Sequence, residues 1–175
     1  MNNSIVIMGV AGCGKSSFAA VIAPVAGMTL IEGDDRHSTD SREKMSQGIP
    51  LTDADRAGWL ADLAQALHDR PHDVVLTCSA LRRSYRDQLR AAAPQLRFIY
   101  LALTRDEALA RVSARASHFF SASLVDSQFA TLESPVGEPG VLCVNAMLPL
   151  PQLQTQVWAW LQTGAQTYVP ANEAV

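Results

Sequence analysis

Short apolar runs alternate along this chain with segments in which apolar side chains recur at helical spacing. The runs are almost continuously apolar, which is typical of strands that are buried on both faces of a sheet. Because strands that alternate with helices form parallel βαβ units, the pattern predicts an α/β fold of three layers, with a five-stranded parallel sheet between two layers of helices. The predicted strands are residues 4–8, 28–31, 74–78, 98–103 and 141–144.

Two predicted helices begin with a capping signature, in which a threonine is followed three residues later by a carboxylate. The first signature is Thr52 with Asp55, and the second is Thr104 with Glu107, directly after the fourth apolar run. The helix that begins after Thr52 also has one apolar face, which predicts that it packs against the sheet. The residues of this face are Leu60, Leu63, Ala64 and Leu67.

Length and charge narrow the class of protein. A chain of 175 residues is long enough for one domain with its own hydrophobic core. Its formal net charge of −3 provides no positive field for nucleic acid or an anionic membrane, and no apolar run approaches the roughly 20 residues of a membrane-spanning helix. The N-terminus lacks the features of a secretory signal, and three widely spaced cysteines favour reduced thiols. We therefore expect a cytoplasmic protein that binds neither nucleic acid nor membranes.

A phosphate-binding motif, G-x-x-x-x-G-K-S, lies between the first predicted strand and a predicted helix. Its backbone N–H groups can surround phosphate at a helix N-terminus, Lys15 can reach the β- and γ-phosphates of ATP, and the Ser16 hydroxyl can coordinate Mg²⁺. The alternative is a glycine-rich turn with a surface lysine. Cys13 lies inside the motif, and a small side chain that only fills space is a better interpretation of it than a redox-sensing thiol. The predicted ATP-binding residues are Gly9, Val10, Ala11, Gly12, Cys13, Gly14, Lys15, Ser16 and Ser17.

Carboxylates follow the second apolar run, at the end of a strand where open α/β sheets bind ligands. Asp34 there can accept the proton of a substrate hydroxyl and orient its oxygen toward the γ-phosphorus, and Glu32 can hold a water molecule bound to Mg²⁺. The alternative is an acidic turn without a ligand. The third run ends without the aspartate that usually binds metal in this class, so we expect metal binding to depend on Ser16 and water.

Several cations are predicted near the same edge of the sheet. Arg82 and Arg86 are one helical turn apart, and His37, Lys44 and Arg56 lie in the insertion between the second and third strands. A protein of net negative charge that keeps cations at its ligand edge is expected to bind a small anion, and a sugar acid fits this chemistry. The alternatives are a solvated helix face for the two arginines and an ordinary loop histidine for His37.

With these residues assembled, the sequence resembles the gluconate kinases (gluconokinases) of the P-loop kinase class, from residue 5 to about 144. Several of the shared segments are specific to that family rather than to P-loop proteins in general. At two strand ends this chain differs from the family, with Glu32 where aspartate is usual and Asn145 where an acidic residue is usual. The resemblance is carried chiefly by residues 8–16, 33–34 with His37, 43–45, 50–60, 78–81, 85–87, 118–120, 128–129 and 132–133.

The resemblance implies ATP- and Mg²⁺-dependent phosphorylation of D-gluconate to 6-phospho-D-gluconate, a core like those of shikimate and nucleoside monophosphate kinases, and a homodimer. It implies one kinase domain over residues 1–163, with a substrate-binding insertion at about 35–70, a lid at about 111–125, and a polar tail at 164–175. Arg111 and Arg115 of the lid are expected to stabilise the transferring charge, and His118 is expected to bind substrate. Otherwise the two arginines form an exposed pair of like charges, which repel each other without an anion between them.

Two other functions remain open from the sequence: a P-loop kinase for another small molecule, and a nucleotide-binding protein without catalytic activity. A shikimate-type kinase is expected to have three glycines after the third strand, where this chain has Cys78-Ser79-Ala80. A nucleoside monophosphate kinase is expected to have base-reading residues in the insertion, which here is mostly charged. A regulatory binder is expected to lack Asp34 or the lid arginines, and this chain has both.

Overall fold

Five parallel strands form one sheet in a computed structural model that describes residues 4–70, 72–114 and 122–163. The order across the sheet is β2-β3-β1-β4-β5, so the strand that leads into the phosphate-binding motif is central. Each predicted strand matches the observed one to within a residue at either end, which confirms the predicted architecture. The strands are β1 Ile5–Met8, β2 Thr29–Glu32, β3 Val74–Thr77, β4 Arg97–Ala102 and β5 Val141–Asn145.

Helices cover both faces of this sheet, as predicted for nearly continuous apolar strands. Ile5 and Ile7 of β1 pack in one core with α1 and α7, whereas Val6 and Met8 pack in a second core with α3 and α4. Alternate side chains of a strand thus pack against the helices on opposite faces of the sheet. None of the described helices is long and apolar enough to cross a membrane. The helices are α1 Lys15–Ala26, α2 Thr39–Ser46, α3 Asp53–Asp69, α4 Arg83–Ala92, α5 Arg105–Ser113, α6 Ala122–Thr131 and α7 Leu150–Gln162.

Both predicted capping boxes are present. The Thr52 hydroxyl accepts from the Asp55 N–H, and the Asp55 carboxylate accepts from the Thr52 N–H at 2.9 Å, at the start of α3. Thr104 and Glu107 make the same reciprocal bonds at the start of α5. The apolar face of α3 is buried through its leucines, with Ala64 partly buried beside them. Local sequence therefore determines where these helices begin.

A third, smaller core joins the phosphate-binding motif to the helices on either side of the predicted lid. Val10 and Ala11 of the motif pack with Val112 of α5, Val125 of α6 and Leu81, which precedes α4. An ion pair between Arg105 and Asp126, with Nε–Oδ1 at 2.6 Å, also links α5 to α6. This packing fixes α5 and α6 against the motif.

Arg86 has a different place from the one predicted. Its side chain is 0% exposed, and it donates to the carbonyl oxygens of Ala80 and Leu81 at 2.8 and 3.2 Å and forms an ion pair with the buried carboxylate of Glu138. The prediction that Arg86 projects toward the ligand edge beside Arg82 is therefore wrong. Ala80, whose carbonyl Arg86 binds, has a left-handed backbone with φ 46°, so Arg86 stabilises the turn that follows β3.

Candidate active site

The phosphate-binding loop connects β1 to α1 through three glycines with positive φ. A Cβ atom on Gly9, whose φ is 140°, would lie 2.9 Å from the Leu101 carbonyl oxygen and 2.9 Å from Cys13 Sγ. Only glycine fits at this position, and it lets the chain turn from the sheet into the loop. Gly14, with φ 97°, precedes the first residue of α1, so the loop ends at a helix N-terminus that favours anions.

Lys15 lies over this loop. Its Nζ atom donates to the carbonyl oxygens of Gly9 at 3.0 Å and Val10 at 3.2 Å. Cys13 is 2% exposed, which agrees with a small filler beneath the loop. A charged ammonium at this position is correctly placed to contact the phosphates of a nucleotide bound by the loop.

Ser16 belongs to a small group of oxygen donors at the ends of β2 and β3. Its hydroxyl lies 2.9 Å from Glu32 Oε2, and the Thr77 hydroxyl donates to the same oxygen at 2.6 Å. Thr77 in turn accepts from the Gly33 N–H at 3.1 Å, which fixes the turn after β2. Hydroxyl and carboxylate oxygens are the donors that Mg²⁺ prefers, so the group fits that ion with most of its remaining ligands from water and phosphate.

A cavity of about 150 Å³ opens beside the loop. It brings three of the residues predicted to bind substrate, Asp34, His37 and Arg56, next to Lys15 and Ser16. The predicted nucleotide and substrate residues therefore share one space. The cavity is also lined by residues that the sequence did not identify as functional, among them Trp59, Ser79 and Gln128.

Asp34 and His37 lie on one wall of the cavity. The Asp34 carboxylate is exposed, and its Oδ1 atom is 3.9 Å from His37 Nε2, too far for a hydrogen bond. His37 is only 6% exposed and stacks on Trp59 with ring centroids 4.3 Å apart. Burial lowers the pKa of His37, so the ring is neutral at pH 7. Its Nδ1 atom is buried and has no hydrogen-bond partner in the described part of the chain.

Arg56 adds a second positive charge to the cavity, beside that of Lys15. It is 7% exposed, and no carboxylate of residues 4–70, 72–114 or 122–163 lies within 4.0 Å of its guanidinium group. A buried charge without a counter-ion is costly, and a bound anion removes that cost. Arg56 is therefore a strong candidate for binding an anion in this cavity.

Lys44 and Arg82, also predicted to bind substrate, do not line the cavity. Lys44 Nζ pairs with Asp55 Oδ1 at 2.6 Å, and the hydrogen bond lowers the pKa of Asp55 to about 2. Arg82 lies between Asp53 and Glu133, with Nε 3.3 Å from the first carboxylate and Nη1 3.9 Å from the second. Both cations are thus paired with carboxylates and lie outside the lining of the cavity, whereas Arg56 lines it.

Arg111 of α5 reaches the phosphate-binding loop from the other side. Its Nη1 atom lies 3.4 Å from the Gly12 carbonyl oxygen and 3.3 Å from that of Cys13, and its Nη2 donates to the Ala146 carbonyl at 2.9 Å. A second, largely apolar groove of about 340 Å³ runs beside it, between Gly14 and Leu148. Arg115 and His118 lie outside the described residues.

Comparisons with known proteins decide the family. A family model described as an AAA domain matches residues 5–135. The chain is 44% identical over 142 residues to a probable gluconokinase of Schizosaccharomyces pombe, covering 76% of this chain and 74% of that protein. It is 44% identical over 144 residues to the gluconokinase of Gluconobacter oxydans, with 81% of each covered. The chain belongs to the gluconokinase family.

Solved structures agree with this family. The crystal structure of a gluconokinase from Sinorhizobium meliloti superposes with a TM-score of 0.85 at 44% identity, covering 91% of both chains. The shikimate kinase of Aquifex aeolicus, at 11% identity and a TM-score of 0.60, shares the fold alone. The resemblance of the sequence to gluconokinases and the shikimate kinase-like core are both confirmed.

In this gluconokinase fold, sequence reasoning missed four residues that surround the predicted site: Trp59, Thr77, Ser79 and Gln128. Thr77 pairs with Glu32 across β2 and β3, so strand register was the one signal that pointed to it. Trp59 donates from Nε1 to the Gly33 carbonyl at 2.7 Å, and Gln128 accepts from the Ala11 N–H at 2.6 Å. Only the family resemblance marked Trp59, Ser79 and Gln128.

Proposed function

We propose that this chain transfers the γ-phosphoryl group of ATP to D-gluconate and produces 6-phospho-D-gluconate. The observation that carries the proposal is one cavity lined by Lys15, Ser16, Asp34 and Arg56, whose guanidinium has no carboxylate partner among the described residues. A phosphate donor, a base and a carboxylate-binding cation are the groups that phosphorylation of a sugar acid requires. The relatives named gluconokinase support gluconate as that acid.

ATP binds through residues 9–17, with its phosphates against the loop N–H groups and Lys15. Arg111, which already touches the loop carbonyls of Gly12 and Cys13, turns toward the phosphates when they are present. The groove beside Arg111 suits the flat adenine base, because its lining is mostly apolar with few polar groups, as is usual for nucleotide-sized ligand sites. Arg115 adds a second lid cation in this proposal.

Mg²⁺ is held by the Ser16 hydroxyl directly and by Glu32 through water. The ion neutralises charge on the phosphates when it is bound. Glu32 is one methylene longer than the aspartate usual in the family, and its carboxylate reaches within 2.9 Å of the Ser16 hydroxyl. Thr77 fixes the orientation of that carboxylate through its own hydrogen bond.

Asp34 acts as the general base. Its carboxylate accepts the proton of the gluconate hydroxyl while the hydroxyl oxygen forms a bond to the γ-phosphorus, and the bond from that phosphorus to the β,γ-bridging oxygen breaks to release ADP. The neutral His37 ring, which stacks on Trp59 and lines the cavity, contacts another part of gluconate. His118 of the lid is a further proposed substrate contact.

Arg56 binds the gluconate carboxylate, and this assignment gives a test. Removing a charge-assisted hydrogen-bonding partner is expected to raise KM for gluconate by about 10- to 100-fold in Arg56→Ala, with KM for ATP nearly unchanged. Arg82→Ala is the matched control, because it removes the same charge from a residue that is paired with Asp53 and Glu133. Steady-state kinetics with gluconate varied at saturating ATP measure the effect. Equal KM values for the two variants would contradict the assignment.

Lys44, also predicted to bind substrate, holds α2 to α3 through Asp55 in this proposal, and so supports the wall that carries His37. We place the enzyme in the cytoplasm as a homodimer, as the family resemblance implies. Light scattering of the purified protein at micromolar concentration tests the dimer: a mass near twice 18.9 kDa is expected, and a monomer mass would contradict it.

A further inference from the structure

Gln128 connects the helix after the lid to the phosphate-binding loop. Its Oε1 atom accepts from the Ala11 N–H at 2.6 Å, although the two residues are 117 positions apart. This bond also fixes the orientation of the carboxamide, because a backbone N–H requires the oxygen rather than the NH₂ group on its side. The Nε2 group must therefore point away from Ala11.

The Nε2 group has no acceptor in the described parts of the chain, and Gln128 lines the cavity that also contains Lys15 and Asp34. An amide NH₂ group carries two donors, and on this half-buried side chain they are accessible to a ligand in the cavity. The acceptor expected for them in this cavity is an oxygen of a bound substrate.

The backbone holds Gln128 firmly in this position. Val125, one turn earlier on α6, is fully buried against Val10 and Ala11. After the end of α6, the Glu133 N–H donates to the Leu81 carbonyl at 2.8 Å. A side chain on a rigid element, with one end bound to protein, loses little conformational entropy when the other end binds a ligand.

We propose that Gln128 is a substrate-positioning residue whose Oε1 atom holds the loop at Ala11 while its Nε2 group donates to an oxygen in the reaction cavity. That oxygen belongs either to the transferring phosphoryl group or to gluconate. The proposal rests on the proposed function, since it assumes that both substrates meet in this cavity.

Two variants separate the donor from the acceptor. Gln128→Glu keeps an oxygen for the Ala11 N–H and nearly the same shape, but it lacks the NH₂ group and adds a charge. Gln128→Met is neutral and of similar length, but it lacks both. The loss of the Nε2 donor is the one change that the two share. Asp126→Asn is the control, because it weakens the link between α6 and α5 at an exposed ion pair outside the cavity.

We expect kcat/KM for gluconate to fall by at least about tenfold in both Gln128 variants, with melting temperatures near that of the parent, and to stay close to the parent value in the control. A loss only in the methionine variant would assign Gln128 to holding the loop, and a loss only in the glutamate variant would assign the effect to charge. Either result would overturn the proposal, and so would unchanged kcat/KM in both Gln128 variants. A loss of kcat/KM that is explained by a lower melting temperature would also overturn it.

The same kinetics identify the oxygen. If Nε2 donates to gluconate, KM for gluconate rises and the slow hydrolysis of ATP without gluconate is unchanged. If it donates to the phosphoryl group, that hydrolysis falls as well. The parent protein, measured in parallel, keeps the two proposals distinguishable: a parent that is inactive on gluconate contradicts the proposed function, whereas an active parent with unaffected Gln128 variants contradicts only the role of Gln128.

Discussion

Asp34→Asn is expected to lower kcat for gluconate phosphorylation by about 10²- to 10⁴-fold, the usual contribution of a general base. Asparagine has the same shape but cannot accept the hydroxyl proton, so orientation remains while proton transfer is lost. Because the Asp34 side chain is 76% exposed, the substitution leaves folding nearly unchanged. KM values are expected to change much less than kcat, since the interaction is made mainly in the transition state.

Asp35→Asn is the matched control for this prediction. Asp35 is the next residue in the same 3₁₀ turn, Gly33–Arg36, and it lies on a different groove beside β2 rather than on the reaction cavity. The kcat of the Asp35→Asn variant is expected to stay within about twofold of the parent value, as for a surface substitution away from the site. A decrease of less than about tenfold in Asp34→Asn would rule out the general-base role, and equal decreases in both variants would assign the effect to the charge of the turn.

The second large effect concerns stability. Arg86→Met is expected to lower the free energy of unfolding by about 3–5 kcal/mol, because it removes the donors for the buried Ala80 and Leu81 carbonyls and leaves Glu138 with Arg90 as its remaining described ion-pair partner. Chemical denaturation followed by circular dichroism measures the loss. The loss of stability comes from buried contacts within the protein and not from substrate binding, so it is expected in the absence of substrates.

Arg83→Met is the control for Arg86, since it removes the same charge from the exposed side of α4. Arg83 pairs with Asp87 at 3.8 Å, as the i,i+4 spacing suggests, and exposed pairs of this kind contribute about 0–1 kcal/mol. If Arg86→Met costs no more than Arg83→Met, the buried ion pair does not stabilise the fold. A double variant with Glu138→Gln is expected to recover part of the loss, because it removes a poorly solvated carboxylate that Arg90 alone would otherwise neutralise.

Local patterns predicted most of the fold. The strands were recognisable as continuous apolar runs, and the two capping boxes fixed the starts of α3 and α5, because both signals depend on neighbours a few residues away. The position of Asp34 at the ligand edge followed from topology, since the carboxyl ends of parallel strands meet at one edge of the sheet. His37 and Arg56, from the segment that follows the same strand, line the cavity beside Asp34, and their contact with substrate stays a prediction.

Long-range partners could not be predicted in this way. Arg86 has the spacing of a ligand-binding arginine, but Glu138, which is 52 residues away in sequence, turns it into a buried structural cation. Lys44 and Arg82 likewise pair with carboxylates that spacing does not reveal. Gln128 reaches the loop only because the third core brings α6 beside Ala11. For the three cations the nearest carboxylate decided the role, and for Gln128 the packing of α6 decided it; neither is visible in local sequence.

A coupled assay of ADP release tests the central claim most directly. The purified protein is given ATP and Mg²⁺ with D-gluconate, with related sugar acids, with shikimate, with nucleoside monophosphates, or with no acceptor, and the product is identified by ³¹P nuclear magnetic resonance. We predict rapid ADP release that depends on gluconate, with a phosphomonoester on the C6 hydroxyl as the product. Release with gluconate no faster than without an acceptor, while shikimate or a nucleoside monophosphate is phosphorylated, would contradict the account.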